Sequence, residues 1–140
     1  MMQAPAPVPL TGSPTILLVD DERDILDALA SFLDVEVPGA RVLTAISGDE
    51  ALILLRRERI HLIVADQRMP DMTGIELVAK ARIRFPQVPA ILITAYPDPE
   101  LAARAVNEAG IGFVISKPFD VRYLGRVIVS LVGAAYAGVA

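Results

Sequence analysis

The sequence predicts a doubly wound α/β sandwich of three layers, built on a five-stranded parallel sheet with strand order 2-1-3-4-5. Two observations predict this fold. Five short runs are almost entirely apolar, which is typical of strands that are covered on both faces. A helix-length segment with apolar residues at helical spacing follows each run, and strands joined by helical crossovers pair in parallel.

The five predicted strands are short and carry few polar side chains. Turn-forming or charged residues bound each run, so the runs are separate strands rather than parts of longer helices. In chain order they are Ile16–Val19, Val42–Ile46, Leu62–Ala65, Ala90–Thr94 and Gly112–Ile115.

Terminal signals help to define the five predicted helices. Ser47 and Glu50 form a capping-box pattern at the start of the second helix. The third runs from about Thr73 to Arg84 and stops before Pro86, and Gly110 ends the fourth. The expected inward-facing stripes are Ile25, Leu26, Leu29, Phe32 and Leu33; Ala51, Leu52, Leu54 and Leu55; Ile75, Val78 and Ala81; Leu101, Ala105, Val106 and Ala109; and Leu124, Val127, Ile128, Leu131 and Val132.

Composition limits the class of protein. The chain has 140 residues, of which 54% are hydrophobic, so it can bury a core and is not a disordered chain. It has no cysteine, which excludes disulfides and thiolate metal sites. A net charge of -4 argues against a nucleic-acid surface, and no apolar run is long enough to span a membrane. We therefore expect a cytoplasmic protein that binds neither nucleic acid nor membrane.

Domain boundaries follow from the ends of the pattern. Residues 1–14 contain four prolines and no positive charge, so we expect a flexible leader rather than a signal peptide. One domain is expected over residues 15–133. The stretch 134–140 consists of small residues and one tyrosine, and we expect it to form a tail.

Polar side chains follow the strands at one edge of the predicted sheet. Asp20 and Asp21 follow the first strand and Asp66 follows the third, which is its neighbour in the expected order. The carboxyl ends of these strands meet, so the three carboxylates should converge and repel unless a cation lies among them. Oxygen ligands favour a hard cation, and Mg²⁺ is the usual one where phosphate is handled. Thr94 ends the fourth strand and Lys117 lies at the end of the fifth, and these two side chains would suit a phosphoryl group on the carboxylate.

Four motifs together resemble the receiver domain of two-component response regulators. They are the acidic pair Asp20-Asp21, the stretch Asp66-Gln67-Arg68-Met69-Pro70-Asp71-Met72-Thr73-Gly74, the pair Thr94-Ala95 and the run Lys117-Pro118-Phe119. The resemblance covers about residues 15 to 132. It implies a response regulator of the single-domain type, with a flavodoxin-like fold. It also implies that Asp66 is the phosphoacceptor, that Thr94 is a switch hydroxyl and that Lys117 pairs with the phosphate.

The resemblance further implies a Mg²⁺ site. Asp21 and Asp66 would be direct ligands, and the backbone carbonyl of Arg68 would be the third. Asp20 would act through water or as a further ligand. The Arg68 side chain, two residues beyond the acceptor, could overhang the site and alter the lifetime of the phosphoryl group.

The implied function is a phosphorylation-dependent signalling switch. A histidine kinase or phosphotransfer protein would supply the phosphoryl group, and an output protein of unknown identity would read the result. The chain would not be an enzyme with a separate substrate, because it would catalyse only its own phosphoryl transfer and slow dephosphorylation. The expected output face consists of helix 4, strand 5 and helix 5, through which a homodimer could also form.

One departure from the family pattern concerns the signalling route. Many members carry an aromatic residue three positions before the lysine, where this chain has Val114. In such members the aromatic side chain rotates and is coupled to the threonine. We expect Tyr96 to take this role here. Pro118 follows Lys117, so the bond between them could be cis.

Three alternatives stay open at the level of sequence. A degenerate receiver would bind partners without phosphorylation; the complete site argues against it, and the Val114 departure keeps it open. A phosphatase-like hydrolase of the haloacid dehalogenase family would place an Asp-x-Asp motif after the first strand, where this chain has Asp20-Asp21-Glu22. A nucleotide- or flavin-binding module would need a Gly- or Ser/Thr-rich loop at the same place.

Overall fold

The computed structural model describes residues 13–137, with side chains described as far as Gly133, and strands and helices alternate throughout that part of the chain. The elements are β1 (Thr15–Val19), α1 (Arg23–Glu36), β2 (Arg41–Ala45), α2 (Gly48–Arg57), β3 (Leu62–Asp66), α3 (Gly74–Arg84), β4 (Ala90–Thr94), α4 (Pro99–Ala109), β5 (Phe113–Ser116) and α5 (Val121–Ala137). All strand pairs are parallel, in the order β2-β1-β3-β4-β5. The predicted strand order is confirmed.

Helices cover both faces of the sheet, which makes three layers. Alternate residues of the central strands point to opposite faces, so Leu17 and Ile63 join one core while Ile16 and Leu62 join the other. The first core contains residues of α2, α3 and α4, and the second contains residues of α1 and α5. The almost unbroken apolar character of β1, β3 and β4 follows from this two-sided burial.

The edge strands differ from the predicted runs by one residue at each end. β2 begins at Arg41, which pairs with Thr15, and ends at Ala45 rather than Ile46. β5 begins at Phe113 rather than Gly112 and includes Ser116. Both strands are partly exposed, because an edge strand has a neighbour on one side only.

Helix termini follow the chemistry that the sequence indicated. The Ser47 hydroxyl accepts a hydrogen bond from the Glu50 N–H at the start of α2, and Thr73 accepts one from the Glu76 N–H at the start of α3. Gly110 ends α4 with a φ of 66°, in the left-handed region that glycine adopts without strain.

The expected core face of α4 is wrong at one position. Val106 is 56% exposed, whereas Ala105 and Ala109 are buried against the sheet and Leu101 is half-buried. Residues at positions i and i+4 lie one above the other on a helix, so 101, 105 and 109 form a single narrow stripe. Val106 lies beside that stripe, on the solvent side.

Of the expected leader and tail, residues 1–12 and 138–140 lie outside the described part of the chain. Pro14 is buried, and its carbonyl accepts a hydrogen bond from the Arg41 N–H, so the packed part of the chain includes this residue. At the other end, α5 continues to Ala137, into the stretch 134–140 that was expected to form a tail. Within residues 13–137, no helix combines the length and apolar character needed to cross a bilayer.

Candidate phosphoryl and metal site

Hydrogen bonds between neighbouring strand ends bring the predicted site residues to one edge of the sheet. The Asp20 N–H donates to the Ala45 carbonyl at 3.1 Å, which extends the pairing of β1 and β2 by one residue. On the other side, the N–H of Lys117 donates to the Thr94 carbonyl at 2.8 Å, just beyond β5. Asp66 is the last residue of β3, between these two pairs. The strand order therefore places the acidic and basic groups together, as predicted.

Three carboxylates converge at this edge. One oxygen from each of Asp20, Asp21 and Asp66 lies within 4.8 Å of the others. Asp20 and Asp66 are only 5% and 8% exposed, while Asp21 is open to solvent. The Glu22 N–H donates to Asp20 Oδ1 at 2.9 Å and so fixes the orientation of that carboxylate. The cluster is a buried pair of acids with a third at its mouth.

Lys117 is the cation that faces this cluster. Its Nζ lies 3.0 Å from Asp66 Oδ1 and 3.7 Å from Asp20 Oδ2. The bond between Lys117 and Pro118 is cis, as the sequence allowed. One ammonium group therefore contacts two carboxylates, and Asp21 adds a third negative charge close by.

The balance of burial and charge shifts the pKa values of these groups. Burial raises the pKa of Asp20 above its usual 3.8, and the nearby Asp66 and Asp21 raise it further. Burial also raises the pKa of Asp66, although the contact with Lys117 opposes the shift. Burial lowers the pKa of Lys117, but the hydrogen bond to Asp66 and the negative charges of Asp66, Asp20 and Glu22 together outweigh that effect, and the net shift is upward. Lys117 alone does not compensate the buried acids, so a further cation would be favourable here.

The donor set fits a hard divalent cation. All three candidate side chains offer oxygen atoms within a few ångströms of one another, and the exposed Asp21 leaves the cluster open on one side. Oxygen ligands of this kind suit Mg²⁺, which retains several of its waters when it binds to proteins. Arg68 follows in the loop from Gln67 to Thr73, hereafter the β3–α3 loop, where its carbonyl was predicted to be a ligand.

Thr94 and Tyr96 lie at the end of β4. Thr94 is 2% exposed, and its Oγ1 accepts a hydrogen bond from the Tyr96 N–H at 3.1 Å. The Tyr96 ring is 62% exposed, and the Arg68 guanidinium lies over it, 4.4 Å from the ring centroid. This cation–π contact joins the loop after β3 to the loop after β4.

Val114, on β5, is half-buried against the core of α2, α3 and α4.

Sequence reasoning assigned no role to two residues that shape the β3–α3 loop. Gln67 is buried, and its Oε1 accepts a hydrogen bond from the Ile75 N–H at 3.1 Å. Asp71 accepts hydrogen bonds from the backbone N–H groups of Gly48 and Asp49. No local pattern in the sequence pairs Asp71 with positions more than twenty residues earlier, so this contact could be found only in three dimensions.

Comparison with known proteins identifies the family and agrees with the fold. The family described as the response regulator receiver domain matches residues 16–128, so the chain belongs to the response regulator receiver family. A receiver domain of Methanospirillum hungatei superposes with a TM-score of 0.83 at 31% identity, over 91% of this chain and 99% of that one. The signal receiver domain of an HD domain-containing protein of Pseudomonas fluorescens gives 0.82 at 30% identity, over 89% and 98%.

Related sequences include longer regulators and one protein of similar size. The hydrogenase transcriptional regulatory protein HoxA of Cupriavidus necator is 47% identical over 105 residues, which are 75% of this chain and 21% of HoxA. An uncharacterized 14.6 kDa protein of Leptolyngbya boryana is 40% identical over 116 residues, covering 81% of this chain and 86% of that protein. The chain thus spans about a fifth of the length of HoxA and similar regulators.

The family membership defines the general function. The chain is a receiver domain, the phosphorylation-dependent signalling module of two-component response regulators, and not an enzyme of the ordinary kind. Receiver domains interact with histidine kinases and output domains. The match favours neither a phosphatase-like hydrolase nor a nucleotide-binding module.

Proposed function

We propose that Asp66 accepts a phosphoryl group in the presence of Mg²⁺ and that this modification switches the surface around α4. The observation that carries the proposal is the placement of Lys117 Nζ 3.0 Å from an Asp66 oxygen, beside two further carboxylates. This arrangement joins a buried nucleophile to an ammonium group that can neutralise phosphoryl charge. A degenerate receiver would not need the complete set.

The transfer step uses the Asp66 carboxylate as the nucleophile. One of its oxygens attacks the phosphorus of a phosphohistidine on a histidine kinase or phosphotransfer protein. The P–O bond forms as the P–N bond breaks, and the histidine nitrogen keeps the electron pair of the broken bond. Lys117 stays within reach of the added negative charge and compensates part of it. Slow hydrolysis of the acyl phosphate by water would restore the carboxylate, so the chain would catalyse only its own turnover.

The metal would be held at the same edge of the sheet. Asp21, Asp66 and the backbone carbonyl of Arg68 would be direct ligands, and Asp20 would act through water or as a further ligand. When bound, Mg²⁺ supplies positive charge that offsets both the carboxylates and the incoming phosphoryl oxygens. Asp20 is already oriented for this role by the N–H of Glu22.

The switch would leave the site through Thr94. Its hydroxyl accepts from the Tyr96 N–H, so reorientation toward a phosphoryl oxygen would weaken that bond and release the backbone of Tyr96. The loop from Tyr96 leads directly into α4, which begins at Pro99. Val114 is too short to move as an aromatic ring would, and the exposed Tyr96 ring would take that part.

The output would be read by protein contact. In the elements that form the α4, β5 and α5 face, four large apolar side chains are exposed, namely Val106, Phe113, Tyr123 and Val129. We propose this face as the site for an output protein, and as the interface of a homodimer if one forms. The net charge of -4 supports partners other than nucleic acid or membrane, and a cytoplasmic location agrees with a kinase donor.

Acetyl phosphate and intact-mass spectrometry test the proposal. The protein should gain one phosphoryl group when Mg²⁺ is present and none in excess EDTA, and Asp66→Asn should gain none in either condition. Asp34→Asn, which alters an exposed acid on α1, is the matched control and should behave as the wild type. Equal labelling in EDTA, or undiminished labelling of Asp66→Asn, would show that another group or a metal-free route is involved.

A further inference from the structure

The β3–α3 loop is tied to the start of α2 by a side chain that the proposed chemistry does not use. Asp71 Oδ2 accepts a hydrogen bond from the Asp49 N–H at 2.9 Å, and Oδ1 accepts one from the Gly48 N–H at 3.2 Å. The first N–H groups of a helix have no partner within the helix, so they are free to bind an external carboxylate. Asp71 thus joins two segments that lie more than twenty residues apart in sequence.

The neighbouring residue makes a second contact with the same helix end. Met72 is 7% exposed, and its side chain packs against Gly48 so closely that a Cβ atom at Gly48 would collide with it. Glycine at position 48 therefore lets the loop approach the helix backbone. Two consecutive loop residues hold the loop on α2, one by hydrogen bonds and one by packing.

The other end of the loop is held on β4 and α3. The N–H of Gln67 donates to the Ile93 carbonyl at 2.9 Å, while its own carbonyl accepts from the Gly74 N–H at 3.1 Å. Its side-chain oxygen accepts from the Ile75 N–H. Arg68 therefore lies between an anchored residue on one side and the Asp71 anchor three residues further on.

We propose that Asp71 is a positioning residue for the Mg²⁺ site, acting through the β3–α3 loop that carries the Arg68 carbonyl. The inference rests on the proposed function, in which that carbonyl is a metal ligand. A ligand on a tethered loop is already close to its bound position, so less conformational freedom is lost when the metal binds. Groups that orient metal ligands typically change metal affinity by about 10- to 100-fold when they are removed.

A simpler role would be that of a helix cap alone. An acidic group at a helix N-terminus stabilises the helix through the free N–H groups and the helix dipole. Ser47 performs such a role at the same helix end, because its hydroxyl accepts from the Glu50 N–H and does not belong to the loop. Removal of the Ser47 hydroxyl should therefore weaken the start of α2 without loosening the loop. That difference separates the two roles.

The experiment compares Asp71→Ala with Ser47→Ala. Mg²⁺ affinity is measured by isothermal titration calorimetry, and the melting temperature is measured in EDTA. Both variants should melt below the wild type, but only Asp71→Ala should bind Mg²⁺ more weakly, by about tenfold or more. Hydrogen exchange in EDTA should be faster at the amides of Gly48 and Asp49 in Asp71→Ala. Asp71→Asn retains one acceptor oxygen, so its affinity should be intermediate, and it replaces Asp71→Ala if that variant does not fold.

Two results would overturn the positioning role while leaving the proposed function intact. One is an unchanged Mg²⁺ affinity in Asp71→Ala and Asp71→Asn. The other is an equal loss of affinity in Ser47→Ala, which would assign the effect to the stability of α2. If the wild type itself binds no Mg²⁺, the proposed metal site fails, and the positioning role fails with it.

Discussion

Replacement of Asp20 by asparagine should stabilise the metal-free protein at neutral pH. Asp20 is a nearly fully buried carboxylate whose negative charge is close to those of Asp66 and Asp21. Asparagine has almost the same shape, and its side-chain oxygen can still accept the hydrogen bond from the Glu22 N–H. The substitution therefore removes a charge while it preserves the main local contact.

Distances in the cluster set the size of the effect. With an effective dielectric constant of about 20, unit charges attract by about 4.5 kcal/mol at the 3.7 Å that separates Lys117 from Asp20. They repel by about 3.5 kcal/mol at 4.8 Å, the upper limit of the distances between the carboxylates. Because 4.8 Å is an upper limit, each repulsion is at least about 3.5 kcal/mol, and the two together exceed the attraction, although solvent screens the exposed Asp21. The cost of burying the Asp20 charge also disfavours the folded wild type. We therefore expect Asp20→Asn to raise the free energy of unfolding by an amount on the order of 1 kcal/mol.

The gain should depend on pH in a defined direction. Because the pKa of Asp20 in the folded protein lies above 3.8, the wild-type group contributes stability that is fully present below pH 3.8. That contribution is lost as the pH rises through the higher folded-state pKa. Asparagine does not titrate, so its advantage should be absent in acid and complete at neutral pH. Mg²⁺ should reverse the order, because it stabilises the wild type more strongly.

Urea unfolding in EDTA at pH 7 and near pH 3.5 measures the difference. Asp34→Asn changes the net charge equally at an exposed position and should stay within about 0.5 kcal/mol of the wild type. A lower stability of Asp20→Asn than of this control at pH 7 would refute the reasoning. It would mean that the attraction to Lys117 outweighs both burial and repulsion.

Two further predictions concern the loops around the site. In a double-mutant cycle, Arg68→Ala and Tyr96→Ala should show a coupling energy of about 0.5–1 kcal/mol in urea unfolding, whereas Tyr96→Phe should retain it; additive effects would rule out the cation–π contact. Gly74→Ala should lower the free energy of unfolding by about 1–3 kcal/mol, because the Cβ of the new alanine would lie 2.7 Å from the Asp66 carbonyl oxygen. The control Gly133→Ala meets no atom within 4 Å and lies in α5, so its stability should rise slightly, and equal effects of both substitutions would contradict the proposed crowding.

The fold could be predicted because strands that are buried on both faces are almost entirely apolar, and this pattern is visible in the sequence. Ile16 and Leu17 point to different cores, yet both must be apolar, and this produces the continuous runs that distinguish a parallel sheet. The site could be predicted for a related reason. In such a sheet the strand order alone decides which strand ends are neighbours, so Asp20 and Asp66 had to meet once the order was known.

Contacts between loops could not be predicted in the same way. The pairing of Asp71 with the start of α2 depends on how two loops approach each other, and no periodicity records that. The partner of the Arg68 side chain was also missed, although both Arg68 and Tyr96 had been singled out. Val106 shows that apolar residues at helical spacing do not define the width of a buried face. Ala105 and Ala109 pack against the sheet in a narrow line, and the adjacent Val106 stays exposed to solvent.

The most direct test of the switch is amide hydrogen exchange on the free protein and on the protein treated with acetyl phosphate and Mg²⁺. If phosphorylation of Asp66 draws the Thr94 hydroxyl away from the Tyr96 N–H, protection should change between Thr94 and Ala109 and near Val114. Thr94→Ala should abolish those changes while it still accepts the phosphoryl group. Changes confined to the β3–α3 loop, or a full response in Thr94→Ala, would contradict this route from the acidic site to α4.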